Sequence, residues 1–547
     1  ADESREADDL VVPRVVQVEP APGPVRREAE ETNRSVTQSG VAPQAAPVPP
    51  AGAAFSKRSL VGDGSAKVVP GMERGRDRFE SFETSSVRAV LEDPVSTFSI
   101  DVDTASYSVV RRALMEGRLP DPDSVRVEEL INYFNYAYPL PESRDMPFGV
   151  DVSVSPTPWN ANTKLMHIGI QGFDVAPETR PAANLVFLID VSGSMDEPDK
   201  LPLLKNAFRL LLDRLDERDT VSIVTYAGNA GTVLKPTGAD EREKILHAID
   251  TLEPGGRTAG AAGVEEAYRL AREARVEGGV NRVMLATDGD FNVGASSDEA
   301  LKRMIEERRE DGIFLSVFGF GKGNYNDQLM QVLAQNGNGT AAYIDTLAEA
   351  QKTLVEEAGS TLFPIAKDVK IQVEFNPETV AEYRLIGYET RALKREDFNN
   401  DRVDAGDIGS GHSVTAIYEI TPVGSPAVQN DPLRYGDAEQ AAANGGASDE
   451  YAFLKLRYKL PDETRSHLMS TPIGPELDAD TLAGLSTDAR FSIAVAAFGQ
   501  KLRDTDAVAT YSWDEIRDLA ASARGDDPYG YRSEFLRLIG LAESLDR

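Results

Sequence analysis

The chain has 547 residues, of which 41% are hydrophobic, and a formal net charge of −32 at pH 7. That length predicts several domains, and the negative charge argues against nucleic acid or an anionic membrane surface as a partner. Cysteine is absent, which excludes disulfides and thiolate metal sites. No run of 18 apolar residues occurs, so we expect no transmembrane helix, and the first residue, Ala1 in place of Met, indicates a processed amino terminus.

The amino-terminal stretch, residues 1–92, is rich in Pro, Ala, Glu and Arg and poor in aromatic residues. Such a composition cannot bury enough apolar surface to fold. We therefore predict a disordered stalk or linker over 1–92. A tether to a membrane or wall and a passive tail are equally compatible with it.

A helical amino-terminal extension is predicted for residues 93–147. It contains a short strand around Phe98, followed by a helix that Asp103 or Thr104 would cap. The sequence Asp103-Thr-Ala-Ser106 resembles an aspartic-protease turn. It lacks the glycine that normally follows the threonine in that turn, and a helix cap explains these residues more simply.

Alternating strand patterns occur on both sides of the central part of the chain, over 148–181 and 365–470. Between them, residues 182–364 alternate strand and helix patterns, which predicts a mainly parallel sheet with helices on both faces. Because period-two patterns flank one α/β block, we predict a β-sandwich-like domain interrupted by an inserted α/β domain. A helical carboxy-terminal segment is predicted for 471–547.

The first strand of the α/β block ends in a group of oxygen-bearing side chains. The apolar run from Asn184 to Ile189 predicts a buried strand, and Asp190, Ser192 and Ser194 follow it. Oxygen-only ligands suit a hard cation such as Mg²⁺. Ligands also gather outside the carboxyl ends of strands in open α/β sheets. Taken alone, these three residues are also ordinary turn residues.

Two later segments strengthen the prediction of a metal site. The loop Gly255–Gly260 opens a helix and exposes Thr258, and the buried strand Arg282–Thr287 ends at Asp288. Three such loops, in this order within one α/β pattern, resemble the metal-ion-dependent adhesion site of von Willebrand factor A domains. The resemblance implies that the α/β block is a Rossmann-like von Willebrand A domain.

The same resemblance implies a role for each ligand. Direct contact with the metal is implied for Ser192, Ser194 and Thr258, and contact through water or a supporting position for Asp190 and Asp288. The expected ion is Mg²⁺, with Mn²⁺ or Ca²⁺ as alternatives. Because Mg²⁺ keeps several waters, one position is exchangeable, and an acidic side chain of a partner protein would fill it.

Two further stretches sharpen the family match. Ser99–Tyr107 together with Glu128–Phe134 resembles the amino-terminal extension of bacterial YfbK-like A-domain proteins. Glu396–Asp401 and Asp404–Ala416 resemble their carboxy-terminal extension. The family is typically exported and often lipoprotein-like, so we expect a periplasmic or cell-envelope protein that is membrane-anchored before processing.

Three functions are compatible with this pattern. The first is a metal-dependent protein-binding module, and the second is a structural scaffold whose A domain packs internally while the ion only braces loops. The third is a hydrolase that uses a metal-activated water. No evident nucleophile or base accompanies the motif, so we predict that the protein is not an enzyme. The sequence Gly319–Gly323 lacks the spacer and hydroxyl residue of a phosphate loop and is predicted to be a turn.

Overall fold

A computed structural model describes residues 81–547, with gaps at 101–102, 142, 144, 228–229, 257–259, 290–297, 322–325, 358–361, 404, 432–448 and 462. The stalk predicted for 1–92 therefore lies outside the described residues up to residue 80. Thr258, one of the five predicted metal-site residues, also lies outside them, as does Lys322 of the predicted turn.

The described chain contains both strands and helices. The strands are β1 (Arg88–Ala89), β2 (Val95–Ser99), β3 (Phe148–Thr157), β4 (Asn160–Gly172), β5 (Ala183–Asp190), β6 (Thr220–Tyr226), β7 (Ala230–Gly238), β8 (Val280–Thr287), β9 (Phe314–Phe320), β10 (Ala341–Ile344), β11 (Pro364–Phe375), β12 (Val380–Leu385), β13 (Ile408–Gly409), β14 (Ser413–Pro422), β15 (Ala452–Lys459) and β16 (Ser466–Ile473). The helices are α1 (Ala105–Met115), α2 (Val127–Ile131), α3 (Leu201–Leu212), α4 (Arg242–Asp250), α5 (Gly260–Glu273), α6 (Asp298–Glu310), α7 (Asp327–Asn336), α8 (Leu347–Gln351), α9 (Thr487–Leu502), α10 (Trp513–Ser522) and α11 (Tyr531–Leu545).

The α/β block forms a six-stranded sheet in the order β10-β9-β8-β5-β6-β7. Its strands are parallel except for β7, which runs antiparallel to β6 at one edge. All eight residues of β5 are buried, as expected of a central parallel strand covered on both faces. On one face Phe208 of α3 stacks on Phe187 of β5 at 4.1 Å between ring centroids. On the other face α5 buries Val264 and Tyr268. The predicted sheet with helices on both faces is confirmed.

The strands on either side of this block form one β-sandwich. One sheet has the order β1-β12-β14-β4-β3, and the other joins β2, β11, β13, β15 and β16. Strand β14 pairs antiparallel with β4, with Ala416 opposite Ile168, across the inserted block. Ile168 and Ile371, one from each sheet, are fully buried in the shared apolar core. The predicted fold class is thus confirmed, while the individual domain boundaries stay predictions.

The amino- and carboxy-terminal helices pack together around aromatic side chains. The ring centroid of Phe134 lies 5.0 Å from that of Phe491 in α9 and 5.6 Å from that of Phe535 in α11, both in edge-on contacts. Tyr107 of α1 stacks on Tyr133 at 3.7 Å. No helix in the described part of the chain combines the length and apolar character needed to cross a membrane.

Two local expectations differ from the structure. Strand β1, with the buried Val90 after it, lies inside the range 1–92 predicted as a stalk. Two residues paired to β12 are too few to leave a sequence pattern. Asp103 does not cap α1, because its carboxylate accepts the backbone N–H of Ala341 (2.8 Å) and a hydrogen bond from Arg391 (2.6 Å). The other predicted cap residue, Thr104, does occupy the cap position of α1, although its side chain makes no capping bond.

Candidate metal centre

The first predicted loop leaves the sheet at the carboxyl end of β5. Asp190 is fully buried there, and its Oδ1 accepts the backbone N–H of Ser192 at 2.8 Å. A single 3-10 turn, Gly193–Met195, follows, with Met195 anchored in the core. This turn brings the hydroxyl oxygens of Ser192 and Ser194 to 3.0 Å from each other. Three of the predicted oxygen donors therefore lie within one tight turn.

The second carboxylate comes from the neighbouring strand. Because β8 runs parallel to β5 with Ala286 beside Ile189, Asp288 emerges at the same edge as Asp190. Thr287 donates its hydroxyl to Asp190 Oδ2 at 3.4 Å. Asp288 is 1% exposed. Two buried carboxylates thus occupy one edge of the sheet.

The third loop is held against the first by backbone hydrogen bonds. Gly255 donates to the carbonyl of Val191 at 2.6 Å, and Gly193 donates to the carbonyl of Gly256 at 3.3 Å. Gly193 and Gly256 are exposed, so the rim of the site is open to solvent. The three predicted loops therefore meet at one sheet edge, although Thr258 itself lies outside the described residues.

Burial controls the electrostatics of this edge. It raises the pKa of Asp190 to about 6, and the nearby charge of Asp288 acts in the same direction. Hydrogen bonds to Asp190 from Ser192 and Tyr226 oppose that rise. The pKa of Tyr226 lies well above its usual range, first because of burial and then because of the Asp190 charge. The site therefore favours any group that brings positive charge to it.

The chain itself supplies one such positive group, the ammonium of Lys200, which the sequence analysis did not predict. Lys200 is buried, and its ammonium lies 3.0 Å from Asp288 Oδ2 and 3.0 Å from the carbonyl oxygen of Ser194. Its aliphatic stem lies over Gly321, where an added Cβ would stand 2.3 Å from Lys200 Cγ. Gly321 also has φ +73°, a backbone conformation that residues other than glycine adopt only with strain. A lysine before a helix is ordinarily solvent-exposed, so no sequence pattern predicts this contact.

The donor chemistry fits a hard divalent cation. The described donors are two carboxylates and two hydroxyls, with no nitrogen or sulfur ligand among them, as Mg²⁺ prefers. Within the described residues, no three His, Asp or Glu side chains converge as a metal cage. An ion at this edge would therefore need hydroxyl, carbonyl or water oxygens beside the two carboxylates.

Three family models match the chain. The model of the "von Willebrand factor" family matches residues 73–167, and the model of the "von Willebrand factor type A domain" family matches residues 184–357. That of "Uncharacterized protein YfbK, C-terminal" covers 360–545. The second match confirms the A domain predicted for the α/β block.

Individual proteins are similar over very different lengths. The chain is 45% identical over 477 residues to the uncharacterized protein YfbK of Escherichia coli (strain K12), covering 86% of this chain and 82% of that protein. It is 24% identical over 270 residues to inter-alpha-trypsin inhibitor heavy chain H3 of Homo sapiens, covering 46% of this chain and 29% of that protein. A solved structure, von Willebrand factor type A from Catenulispora acidiphila, is 16% identical with a TM-score of 0.40, covering 72% of this chain and 89% of that one.

Proposed function

Because this chain belongs to the YfbK-like family of von Willebrand factor A domain proteins, we propose that it is a metal-dependent protein-binding module of the bacterial cell envelope. Domains of this type generally take part in protein–protein interactions. The metal dependence, the acidic ligand and the cellular location belong to the proposal.

The observation that carries the proposal is the pair of buried carboxylates beside two adjacent hydroxyls. Asp190 and Asp288 supply negative charge at a solvent-open edge, and Ser192 and Ser194 supply neutral oxygens 3.0 Å apart. We assign these four residues, with Thr258, to a divalent ion, Mg²⁺ first and Mn²⁺ or Ca²⁺ as alternatives. When bound, that ion supplies the positive charge to which a carboxylate of the partner protein is attracted.

We propose a non-catalytic role, because A-domain proteins and YfbK-like relatives are generally non-catalytic. We place the protein in the periplasm or cell envelope as an exported, lipoprotein-like member of its family. Nucleic acid is not proposed as a partner, because the chain carries a net charge of −32.

Calorimetry with Mg²⁺ and with Mn²⁺ tests the metal site. We expect a single site in the full chain and none in the double variant Ser194→Ala, Asp288→Ala, which loses one hydroxyl and one carboxylate. Asp250→Ala is the matched control, since Asp250 is an exposed acid of the same domain. Circular dichroism verifies that each variant is folded. Unchanged metal affinity in the folded double variant would show the assignment to be wrong.

Capture of envelope proteins on the immobilised chain tests the partner. We expect capture in Mg²⁺ and release by chelator. The negative charge of the chain repels an acidic partner, but salt at physiological concentration already screens that repulsion beyond roughly 8 Å. Moderate added salt should therefore weaken binding little. Binding that resists chelator and collapses in salt would instead indicate a basic partner held by surface charge.

The alternative function, a structural scaffold, is favoured by one contact. Lys200 already places a positive charge against Asp288 without any ion. If that ammonium were the permanent counter-charge, the A domain would serve packing alone. Mg²⁺ would then leave the unfolding temperature of the full chain unchanged, whereas the binding function predicts an increase by linkage.

A further inference from the structure

A second concave site lies far from the proposed metal site. A cavity of about 240 Å³ lies between the inserted domain and the sandwich. Arg282, near the start of β8, lines it, whereas Asp288 follows the other end of the same strand. The two residues are six positions apart, about 20 Å at the rise of a strand. The cavity is therefore independent of the metal-site edge.

The walls of this cavity come from stretches that the proposed function leaves unexplained. Asp103 belongs to the amino-terminal stretch that carries the family resemblance, and Asp407 and His412 belong to the carboxy-terminal one. The inserted domain contributes Arg282 from its central sheet. Residues distant in the sequence thus surround one space that the insertion creates.

Arg282 is a buried cation that forms no ion pair with a carboxylate among the described residues. It is 4% exposed, and its one hydrogen bond to a described residue runs from Nη1 to the neutral hydroxyl of Ser316, at 2.6 Å. Its Nε is buried and has no acceptor among the described residues. The guanidinium otherwise lies 5.6 Å from the ring centroid of Phe314. A buried charge is strongly destabilising unless it is paired, so this arrangement calls for an anion.

The other charged groups around the cavity have partners of their own. Arg391 donates to Asp103 at 2.6 Å, and Lys352 forms an ion pair with Glu357. These pairs neutralise two of the acidic groups of the wall. They leave Arg282 as the cation that a bound anion would pair with.

Asp407 does not serve as the ion-pair partner of Arg282. Its carboxylate accepts the side-chain N–H of Asn338 and the backbone N–H of Asp368, each at 3.3 Å. Its charge raises the pKa of Arg282, but burial acts more strongly and lowers that pKa to about 10. The charge of Asp407 therefore offsets only part of the unfavourable burial of Arg282.

Neutral hydrogen-bonding groups complete the lining. The hydroxyls of Thr340 and Thr353 are buried and have no partner within the part of the chain that the structure describes. His412 also lines the cavity, and burial lowers its pKa to about 4, so its imidazole is neutral at pH 7 and offers an N–H donor. Such groups bind the oxygens of an anion without adding charge.

We propose that this cavity binds a small anion through phosphate or carboxylate oxygens, with Arg282 as the charge partner and the Thr340 and Thr353 hydroxyls as hydrogen-bond donors. A volume of about 240 Å³ lies below the roughly 300 Å³ at which pockets for drug-sized ligands begin. The ligand is therefore of the size of inorganic phosphate or a short dicarboxylate.

Thermal unfolding and calorimetry of the full chain test the proposal. Metal-free protein is measured with inorganic phosphate, with succinate and with chloride at matched ionic strength. We expect saturable binding of phosphate, of succinate or of both, and at least tenfold weaker binding in Arg282→Met. Arg272→Met, which removes an exposed arginine of α5, is the matched control and should bind as wild type.

Two further variants keep the outcome decisive. Thr340→Val removes one buried hydroxyl without altering charge, and it should weaken anion binding even if Arg282→Met fails to fold. Ser194→Ala with Asp288→Ala should retain anion binding, which separates this site from the metal site. A stabilisation by phosphate that rises linearly without saturating, equally in wild type and Arg282→Met, is a general solvent effect and would overturn the proposal.

Discussion

Asp190 illustrates how a single residue sets the chemistry of the sheet edge. Its position at the end of a buried strand keeps its carboxylate from water, and the pKa rises to about 6 for that reason first. The neighbouring Asp288 adds repulsion. A cation at this edge therefore competes with a proton for Asp190, and pH becomes a means of testing the site.

Metal affinity should fall in mild acid. The pKa of Asp190 is higher in the folded chain than its usual 3.8, so folding favours the proton between pH 4 and pH 6. This contribution to stability disappears as the pH rises through about 6. A carboxylate that holds the metal, directly or through water, must be deprotonated, so the dissociation constant for Mg²⁺ should rise about tenfold between pH 7 and pH 5. Calorimetry at both pH values measures it, and a constant affinity over this range would contradict the role of Asp190.

Lys200 should compete with the metal ion. Lys200→Met keeps the length of the stem over Gly321 but removes the ammonium 3.0 Å from Asp288. Breaking a buried ion pair costs about 3 kcal/mol or more, so the metal-free variant should unfold at lower temperature. Its Mg²⁺ affinity should increase, since no internal cation has to be displaced.

The control for this experiment is Lys244→Met, which removes an exposed lysine of α4 paired with Glu241. It should alter neither the unfolding temperature nor the Mg²⁺ affinity. If Lys200→Met behaves like this control, the Lys200 ammonium has no part in the site.

At the scale of elements, α1 covers an otherwise open sheet edge. Strand β10 pairs on one side with β9, and on its other side Ala105 and Val109 of α1 pack beside Tyr343 in one apolar cluster. Asp103 accepts the backbone N–H of Ala341 at the start of β10. Exposed strand edges invite unwanted pairing, so this helix protects the inserted domain.

Asp103→Ala should destabilise this junction. Asp103 is buried, accepts the N–H of Ala341 and pairs with Arg391 at 2.6 Å. Removing it leaves a buried donor and a buried charge with one partner fewer, at a cost of about 2–4 kcal/mol. Asp93→Ala, which breaks the exposed pair with Arg88, should cost less than about 1 kcal/mol. Urea unfolding compares the two, and equal losses would refute the edge-covering role.

At the scale of the whole molecule, the sandwich depends on strands from both sides of the insertion. Residues 182–364 contain all six strands of the mainly parallel sheet, so this fragment should fold alone, as circular dichroism and NMR dispersion would show. Residues 366–460 lack β4, which pairs with β14 along eight residues. That fragment should not fold, and a stable isolated 366–460 would argue for independent domains.

Much of this organisation could be predicted because local patterns reflect local physics. The buried run before Asp190 marks a central parallel strand, and period-two stretches on both sides of it mark the sandwich. The parallel order of strands then brings Asp190 and Asp288 to one edge without knowledge of side-chain positions. The family resemblance added the expectation of a metal, which stays a prediction.

The sequence by itself determined the strand and helix types, the insertion and four of the oxygen donors that meet at the sheet edge. Only the tertiary structure decided that Lys200 is buried against Asp288 and that Arg282, at the start of a predicted strand, lines a cavity. Of the two predicted cap residues, it placed Thr104 at the cap of α1 and Asp103 at the edge of β10. The physical reason is that periodicity reports which face of an element is buried, whereas the partners of Lys200 and Asp103 come from chain segments 88 to 288 residues away.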